Sequence, residues 1–263
     1  MTGTLTADDT PKTHGRPHPG PTGPSTAVLA FGLACTALAA GLGLALRNPS
    51  ARSAIQRADH HWLVWMGGPH DGVYATSAAV LNWFGGPLGV VVPLALLLFL
   101  LMQRRWWSTA YLVTAYLLGD MAVVQLLKHL VDRPRPAHPL VRVDHGSFPS
   151  GHAAGAALLV VVVGAVLVPA ARRRSWWLIG GGFTLAMMWS RTWLHAHWLS
   201  DTIAGASIGA GAALLLWGAF APLLAGEDAS GRLARNQDGV RRRQLRDVGS
   251  PEQRVDGVRH HGG

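Results

Sequence analysis

The stretch PLGVVVPLALLLFLLMQRRWWSTAYLVTAYLLGDMAVVQLL, residues 87–127, decides the fold class. It contains two apolar runs separated by the basic pair Arg104-Arg105, and a helix needs about 20 apolar residues to cross a bilayer. Trp106 and Trp107 follow the arginines directly, at the place where an aromatic belt marks a membrane boundary. The stretch therefore predicts a helical hairpin inserted in a membrane.

Comparable apolar segments recur along the whole chain. The 263 residues are 49% hydrophobic and only 14% charged, whereas about a quarter of the residues of a soluble domain are charged. We predict six membrane spans, at residues 27–46, 87–102, 108–127, 153–171, 175–190 and 199–221. The fold class that follows is all-α, an integral membrane bundle of six helices. The outer boundary of the second span is open, because this span can begin before Gly85-Gly86-Pro87.

Basic residues between the spans predict the orientation. Arg104-Arg105 separates spans two and three, the run 172–174 separates spans four and five, and neither hairpin contains an acid. By the positive-inside rule both hairpins face the cytoplasm, and both termini of a six-span chain then do so too. The formal net charge of +9 thus fits membrane topology better than nucleic-acid binding. We predict a multi-pass protein of the cell membrane.

Composition divides the chain into three parts. These are a disordered leader at 1–26, the six-helix domain at 27–221, and a disordered basic cytoplasmic tail at 222–263. Within the domain, residues 48–86 predict an outer connection on the membrane surface. The motifs Gly151-x3-Gly155 and Gly205-x3-Gly209 predict close packing between helices of the same bundle.

Polar residues converge on the outer membrane face. A third span that begins inside at Ser108 rises about 1.5 Å per residue and carries Lys128 roughly 30 Å, to the outer boundary. Spans four, five and six also have polar residues at their outer ends. The residues brought together are Lys128, Arg135, Ser150, His152, Arg191, His197 and Asp201. We predict a functional site at the extracytoplasmic face.

The cations and the segment PSGH, residues 149–152, indicate a phosphate ligand. Lys128 is one of two lysines in a chain with 21 arginines, which favours a functional requirement for its compact ammonium group. Ser150 is suited to cap the fourth span, so free backbone amides and the positive end of the helix dipole face the site. Gly151 permits close approach of the backbone to the anion.

Two histidines compete for the central role. His197 and Asp201 are four residues apart, so on a helix Asp201 can accept from Nδ1–H of His197 and leave Nε2 free as a nucleophile or base. His195 and Asp201 are six residues apart, about 240° around a helix. We therefore predict His197 as the reactive residue and His195 as a bystander. A metal site on the two histidines lacks evident co-ligands, so no metal is expected.

The same residues resemble the three-part signature of the type 2 phosphatidic acid phosphatase family, which shares its site with vanadium haloperoxidases. KHLVDRPRP, residues 128–136, matches the first part, K-x6-R-P. PSGH at 149–152 matches the second part, and SRTWLHAHWLSD at 190–201 matches the third, S-R-x5-H-x3-D. The resemblance covers about residues 60–221 and includes the six-helix layout.

The resemblance implies a role for each residue of the signature. The phosphate-binding residues would be Lys128, Arg135, Ser150, Gly151 and Arg191. The catalytic residues would be His197 as nucleophile, Asp201 as the residue that orients it, and His152 as the acid that protonates the leaving lipid oxygen. A phosphohistidine would form and water would hydrolyse it, and no cofactor is implied.

The resulting prediction is a metal-independent phosphoric monoester or diphosphate hydrolase that acts on a lipid at the outer leaflet. Undecaprenyl diphosphate and phosphatidate-type lipids are both compatible, and the partners are the lipid and the bilayer, with no nucleic acid. A phosphotransferase with an acceptor other than water, and a non-catalytic lipid-binding or transport protein, are the alternatives. The haloperoxidase branch is soluble, which six spans argue against.

Other polar residues near the predicted site have no assigned role. Asp120 lies within the third span, where an acid is costly and faces the bundle interior, so we expect it to have a buried structural partner. His129, His138 and His145 are expected to be solvated loop residues.

Overall fold

Nine α-helices make up the part of the chain that the structure, a computed structural model, describes, which is residues 23–68 and 70–248. They are α1 Thr26–Arg47, α2 Pro49–Met66, α3 Gly72–Gly85, α4 Pro87–Met102, α5 Trp106–Ala115, α6 Val123–Val131, α7 Gly151–Val166, α8 Arg173–Trp193 and α9 Leu199–Val248. A π-helical segment, Tyr116–Ala122, joins α5 to α6, and a short 3-10 turn, Ala170–Arg172, precedes α8. The described residues contain no strand, in agreement with the all-α prediction.

Three helices of the described residues are long and apolar enough to cross a membrane: Thr26–Arg47, Trp106–Val131 and Leu199–Gln244. A fourth is added if α3 and α4, which are bent by 45° at their junction, form one span. Predicted spans four and five correspond to α7, an apolar helix of 16 residues, and to α8, which carries arginines near both ends. These apolar helices support a multi-pass membrane protein, and the count of six spans stays a prediction.

The predicted outer connection at 48–86 is helical. Asn48 caps α2 by accepting from the backbone amides of Ser50 and Ala51, at 3.1 and 3.2 Å, and Pro49 occupies the first helical turn. The buried side chains of Met66 and Ala78 then pack against Trp193, Leu194 and Ala196, which lie between the ends of α8 and α9. Hence α2 and α3 fold over one end of the bundle.

The tail, which was predicted to be disordered from residue 222, is instead helical as far as Val248, because α9 runs without a break from Leu199 to Val248. Glu227 on this continuation accepts from the backbone amide of Trp107 at 2.8 Å, and Asp228 pairs with Arg105 at 2.8 Å. These contacts give the polar segment a binding surface at the start of α5, which its composition does not reveal. The last 15 residues of the tail, 249–263, and leader residues 1–22 lie outside the described residues.

The long helix α9 is central and packs against α7 and α1. A Cβ atom at Gly205 would lie 2.3 Å from the carbonyl oxygen of Ser150, and one at Gly209 would lie 2.1 Å from that of Ala154. The predicted close packing at these two glycines is confirmed, and it is backbone against backbone. At Gly155 the nearest atoms to a Cβ would be the carboxylate oxygens of Asp120, at 3.8 and 3.9 Å, which is ordinary van der Waals contact, so the close packing predicted there is not found.

Candidate active site

All eight predicted site residues lie at one end of the bundle, where the last residues of α6 and α8 meet the first residues of α7 and α9. The backbone amide of Ser150, just before α7, donates to the carbonyl oxygen of Asp201 on α9 at 3.0 Å. Arg135, after α6, lies with its Nη1 3.1 Å from Nε2 of His197. The pairs of Arg105 with Glu227 and Asp228 lie about 28 residues along α9 from the site, at the opposite end of the helices. The predicted convergence of helix ends is thus present in the structure.

His197 is buried in the short loop between α8 and α9. Its Nδ1 lies 2.7 Å from the carbonyl oxygen of Ser147, whereas the nearest carboxylate oxygen of Asp201 is 3.8 Å away. Because a carbonyl oxygen can only accept, Nδ1 carries the proton and the lone pair of neutral imidazole is on Nε2. The sequence predicted this tautomer but assigned the wrong direct partner. The helical spacing argument fails because α9 begins at Leu199, after the histidine.

Asp201 instead holds the backbone around the histidine. Its carboxylate accepts from the hydroxyl of Ser147 and, at 2.9 Å, from the backbone amide of Trp198 at the start of α9. The same carboxylate accepts from Nη1 of Arg133 at 2.6 Å. Asp201 therefore acts on His197 through the position of Ser147 and through its negative charge.

Arg133 extends this network to α2. Its guanidinium donates to Asp201, to the hydroxyl of Ser200 at 2.7 Å, and to the carboxylate of Asp59 at 2.6 Å. Asp59 also accepts from the backbone amide of Ser200 at 2.9 Å. All these side chains are buried. Breaking one member of such a buried ion network is strongly destabilising, because the remaining charge loses its partner.

Sequence reasoning missed Asp59, Arg133 and Ser147 as residues of the site. Arg133 occupies a variable position of K-x6-R-P, and Ser147 precedes the PSGH segment without a pattern of its own. Asp59 lies 74 residues before Arg133 in the chain, and no spacing rule connects two such positions. The feature that marks Asp59 is its burial on α2, and burial is not visible in the sequence.

Lys128 and Arg135 bind one carboxylate between them. Nζ of Lys128 lies 2.5 Å from Oδ2 of Asp144, and Nη2 of Arg135 donates to Oδ1 of the same residue. Burial alone would raise the pKa of Asp144, but the two cations outweigh it and lower that pKa below its ordinary value. The two cations are thus spaced to hold two oxygens of one anion. A phosphate group at this position would have to displace the exposed side chain of Asp144.

Three other predicted residues present buried polar atoms without a hydrogen-bond partner among the described residues. They are Oγ of Ser150, Nε2 of His152 and Nε of Arg191. Ser150 is the N-cap of α7 but its hydroxyl makes no capping bond, and Arg191 donates through Nη1 only to Asn82 on α3. Buried polar groups are rarely left unpaired, because each costs free energy. Three such atoms, two of them at the N-terminus of α7 and one on Arg191, indicate a site for a polar ligand.

Residues 108–223 match the family model described as the PAP2 superfamily. This segment of the chain belongs to the PAP2 superfamily. The matched range contains all eight predicted site residues, from Lys128 to Asp201. As a PAP2 protein the chain is a member of a phosphatase family, which agrees with the resemblance found in the sequence.

The fold of this PAP2 chain is similar to a crystal structure of the first transmembrane PAP2 type phosphatidylglycerolphosphate phosphatase from Bacillus subtilis. The TM-score is 0.59 at 21% identity, and the match covers 76% of this chain and 96% of that one. At this identity the likeness is one of fold. A comparison with the curated proteins found no match.

The remaining histidines of this end of the PAP2 bundle lie apart from His197. The ring of His195 contacts that of His70 edge-on, with the centroids 5.0 Å apart. His145 lies with Nε2 3.1 Å from the carboxylate of Asp132 and stacks on His129 at 6.0 Å. The described residues contain no group of three histidine, cysteine, aspartate or glutamate side chains that could hold a metal ion. The role of His195 as a bystander stays a prediction.

We expect the imidazole of His197 to stay uncharged at pH values well below 7. Burial, together with the charges of Arg135 and Arg191, lowers its pKa to about 4 although Asp201 opposes them. An unfolded chain would therefore take up this proton near the ordinary value of about 6.5 before the folded chain does, so stability should fall as pH falls from there toward 4. Nitrogen NMR of histidine-labelled protein, with the signal assigned from His197→Ala, should show the Nδ1–H tautomer at pH 6. A titration centred near pH 6.5 would contradict this.

Proposed function

We propose that the chain is a lipid phosphatase that transfers a phosphoryl group from a lipid to Nε2 of His197 and then to water. The observation that carries the proposal is the position of the lone pair of that nitrogen, which accepts from Nη1 of Arg135 at 3.1 Å and so faces a cation of the anion site. The lone pair is assigned to Nε2 by the 2.7 Å contact of Nδ1 with the carbonyl oxygen of Ser147. A neutral, oriented imidazole next to an anion site is the arrangement that a phosphohistidine mechanism requires.

The first step of the proposed mechanism breaks the bond between phosphorus and the lipid oxygen. Nε2 of His197 attacks phosphorus while the three cations Lys128, Arg135 and Arg191 bind the non-bridging oxygens, which is the main source of stabilisation in phosphoryl transfer. His152, which becomes protonated when the anionic lipid phosphate binds beside it, donates its proton to the leaving lipid alcohol. The hydroxyl of Ser150 and the amide of Gly151 supply further hydrogen bonds.

The second step regenerates the enzyme. His152, now neutral, accepts a proton from a water molecule that attacks the phosphohistidine, and inorganic phosphate leaves with both electrons of its bond returned to Nε2. The phosphorylated imidazole is cationic during this cycle. The carbonyl of Ser147 and the carboxylate of Asp201, 3.8 Å from Nδ1, stabilise that charge. This is the role that the proposal gives to Asp201.

We place the site at the outer leaflet with both termini in the cytoplasm. Support comes from the basic hairpins, because Arg105 pairs with Glu227 and Asp228, far along α9 from the site, and the positive-inside rule assigns such hairpins to the cytoplasm. Undecaprenyl diphosphate and phosphatidate-type lipids remain the candidate substrates. A phosphatidylglycerolphosphate-type lipid joins them because the similar Bacillus subtilis protein is a phosphatase of that kind.

The test is phosphate release by the purified protein from a panel of lipid phosphates. With EDTA present we expect the rate to change by less than about twofold, since Lys128, Arg135 and Arg191 supply the charge that magnesium gives other phosphotransferases. Vanadate should inhibit, because it can take the place of phosphorus bonded to His197. A requirement for added magnesium would contradict the mechanism, and release of label to an added alcohol instead of water would favour the phosphotransferase alternative.

A further inference from the structure

A small cavity lies directly beside His152, between the end of α3, α4, the π-helical segment, α7 and α8. Its volume is about 140 Å³. Its walls are mostly apolar, formed by Phe84, Leu88, Val92, Leu159, Phe183 and Met187. At a liquid share of about 30 Å³ per water molecule, it holds four or five groups of that size. It can therefore take the first few atoms of a leaving group but not a whole acyl chain.

One acid, Asp120, lines this apolar cavity. The structure gives its carboxylate no hydrogen bond and no ion pair within residues 23–68 and 70–248, so the structural partner expected from the sequence is not found there. A carboxyl group among apolar walls is costly unless something binds it. The phosphatase mechanism proposed above does not use it. The carboxylate of Asp120 is therefore available to bind a polar group of a ligand.

The local backbone places the side chain of Asp120 at the wall of the cavity. The residue lies in the π-helical segment Tyr116–Ala122, and π-helical turns occur frequently at functional sites. The neighbouring residue Gly119 packs tightly against the bundle, since a Cβ there would lie 2.9 Å from Ala212 and 3.0 Å from Leu158. On the other side, Gly155 lines the same cavity and faces the carboxylate, whose oxygens would lie 3.8 and 3.9 Å from a Cβ at that position.

The position of Asp120 relative to His152 sets the chemistry it can recognise. Gly155, which faces the carboxylate, follows His152 by three residues on α7, a rise of about 4.5 Å along the helix. His152 is the residue proposed to protonate the leaving oxygen. A group bound to Asp120 would therefore sit about one helical turn from that oxygen, within the length of a three-carbon unit.

We propose that Asp120 accepts a hydrogen bond from a hydroxyl group of the leaving lipid alcohol, on a carbon next to the one that carries the phosphate. This inference rests on the proposed phosphatase activity and specifies its substrate class. A glycerol unit with a free hydroxyl fits the cavity and satisfies the carboxylate. A polyprenyl chain has no donor there and would leave the carboxylate unpaired.

The test compares two lipids that differ only in the hydroxyl, 1-acylglycerol 3-phosphate and its 2-deoxy analogue. A hydrogen bond to a charged group is worth roughly a 10- to 100-fold difference, so wild type should favour the hydroxyl lipid by that ratio of kcat/KM. Asp120→Leu should bring the ratio close to one while still hydrolysing the deoxy lipid. Asp120→Asn, which keeps an acceptor and the same shape, should keep part of the preference.

Asp132→Asn is the matched control, because Asp132 is an exposed acid at the end of the following helix and its left-handed backbone, φ 43°, suits asparagine. This variant should keep the wild-type ratio. A wild-type ratio near one, or an unchanged ratio in Asp120→Leu, overturns the inference but leaves the phosphatase intact. If wild type hydrolyses neither lipid but releases phosphate from another lipid of the panel, the inference is overturned and the phosphatase proposal stands. If it hydrolyses no lipid of the panel, the phosphatase proposal fails, and the ratio of the two dissociation constants in wild type and Asp120→Leu then decides the role of Asp120.

Discussion

His197→Ala should lower phosphate release by at least about 1,000-fold, the scale observed when a covalent nucleophile is removed. The reason is geometric. Nε2 of His197 carries the lone pair because Nδ1 is bound by Ser147, and the described site offers no other imidazole with that arrangement beside Arg135. Rates are measured on purified wild type and variant with the same lipid phosphate and with EDTA in both.

His195→Ala is the control for this prediction. It removes a histidine two residues away whose ring contacts His70 rather than the cations. We expect it to keep activity within a few-fold of wild type. Near-complete loss in His195→Ala, or substantial turnover in His197→Ala, would show that the wrong histidine has been assigned. Acid-labile phosphate on wild-type protein after rapid quenching, absent from His197→Ala, would confirm the intermediate.

Gly209→Ala should severely destabilise the fold. The added Cβ would lie 2.1 Å from the carbonyl oxygen of Ala154 and 2.8 Å from its carbonyl carbon, both backbone atoms that cannot rotate away. Helices α7 and α9 must then separate by about 1 Å, and over-packing of this kind costs typically 1–3 kcal/mol and sometimes more. Thermal unfolding of the detergent-solubilised protein, followed by tryptophan fluorescence, should show a lower Tm or no cooperative transition.

Gly226→Ala is a control on the same helix, because a Cβ there meets no atom within 4 Å. Alanine is favoured over glycine in a helix by roughly 1 kcal/mol, so this variant should match or slightly exceed the stability of wild type. Equal Tm values for Gly209→Ala and wild type would contradict the packing of α7 on α9. Because Gly205 makes the same contact with Ser150 one turn earlier, loss of this packing should also lower activity.

The sequence predicted which residues gather at this end of the bundle, and the structure brings all eight there, while their roles stay predictions. Lys128, Ser150 and Arg191 lie at helix ends, and the position of a helix end follows from local composition and from the length that a bilayer requires. The packing at Gly205 and Gly209 was readable for the same reason, since four-residue spacing puts both glycines on one helix face. Each of these inferences depends on residues close together in the chain.

The errors share a different physical origin. Asp201 was assigned to Nδ1 of His197 by assuming one continuous helix, and the real start of α9 after His197 gives that contact to Ser147 instead. The helical segment after Pro222 was predicted to be disordered because Glu227 and Asp228 find their partners at the start of α5, about 120 residues earlier in the chain, and such a distant contact is not visible in the sequence. Helices α2 and α3 were read as a surface connection for the same reason.

The sequence by itself determined that the chain is a helical membrane protein, that it resembles a phosphatase family, and which ionisable groups meet at one end of the bundle. These properties follow from composition and short-range spacing. Only the tertiary structure decided that Ser147 holds the histidine, that Arg133 joins Asp59 to Asp201, and that Asp120 faces an apolar cavity. Such contacts join positions up to 74 residues apart, and they depend on how whole helices pack, which no local pattern of residues encodes.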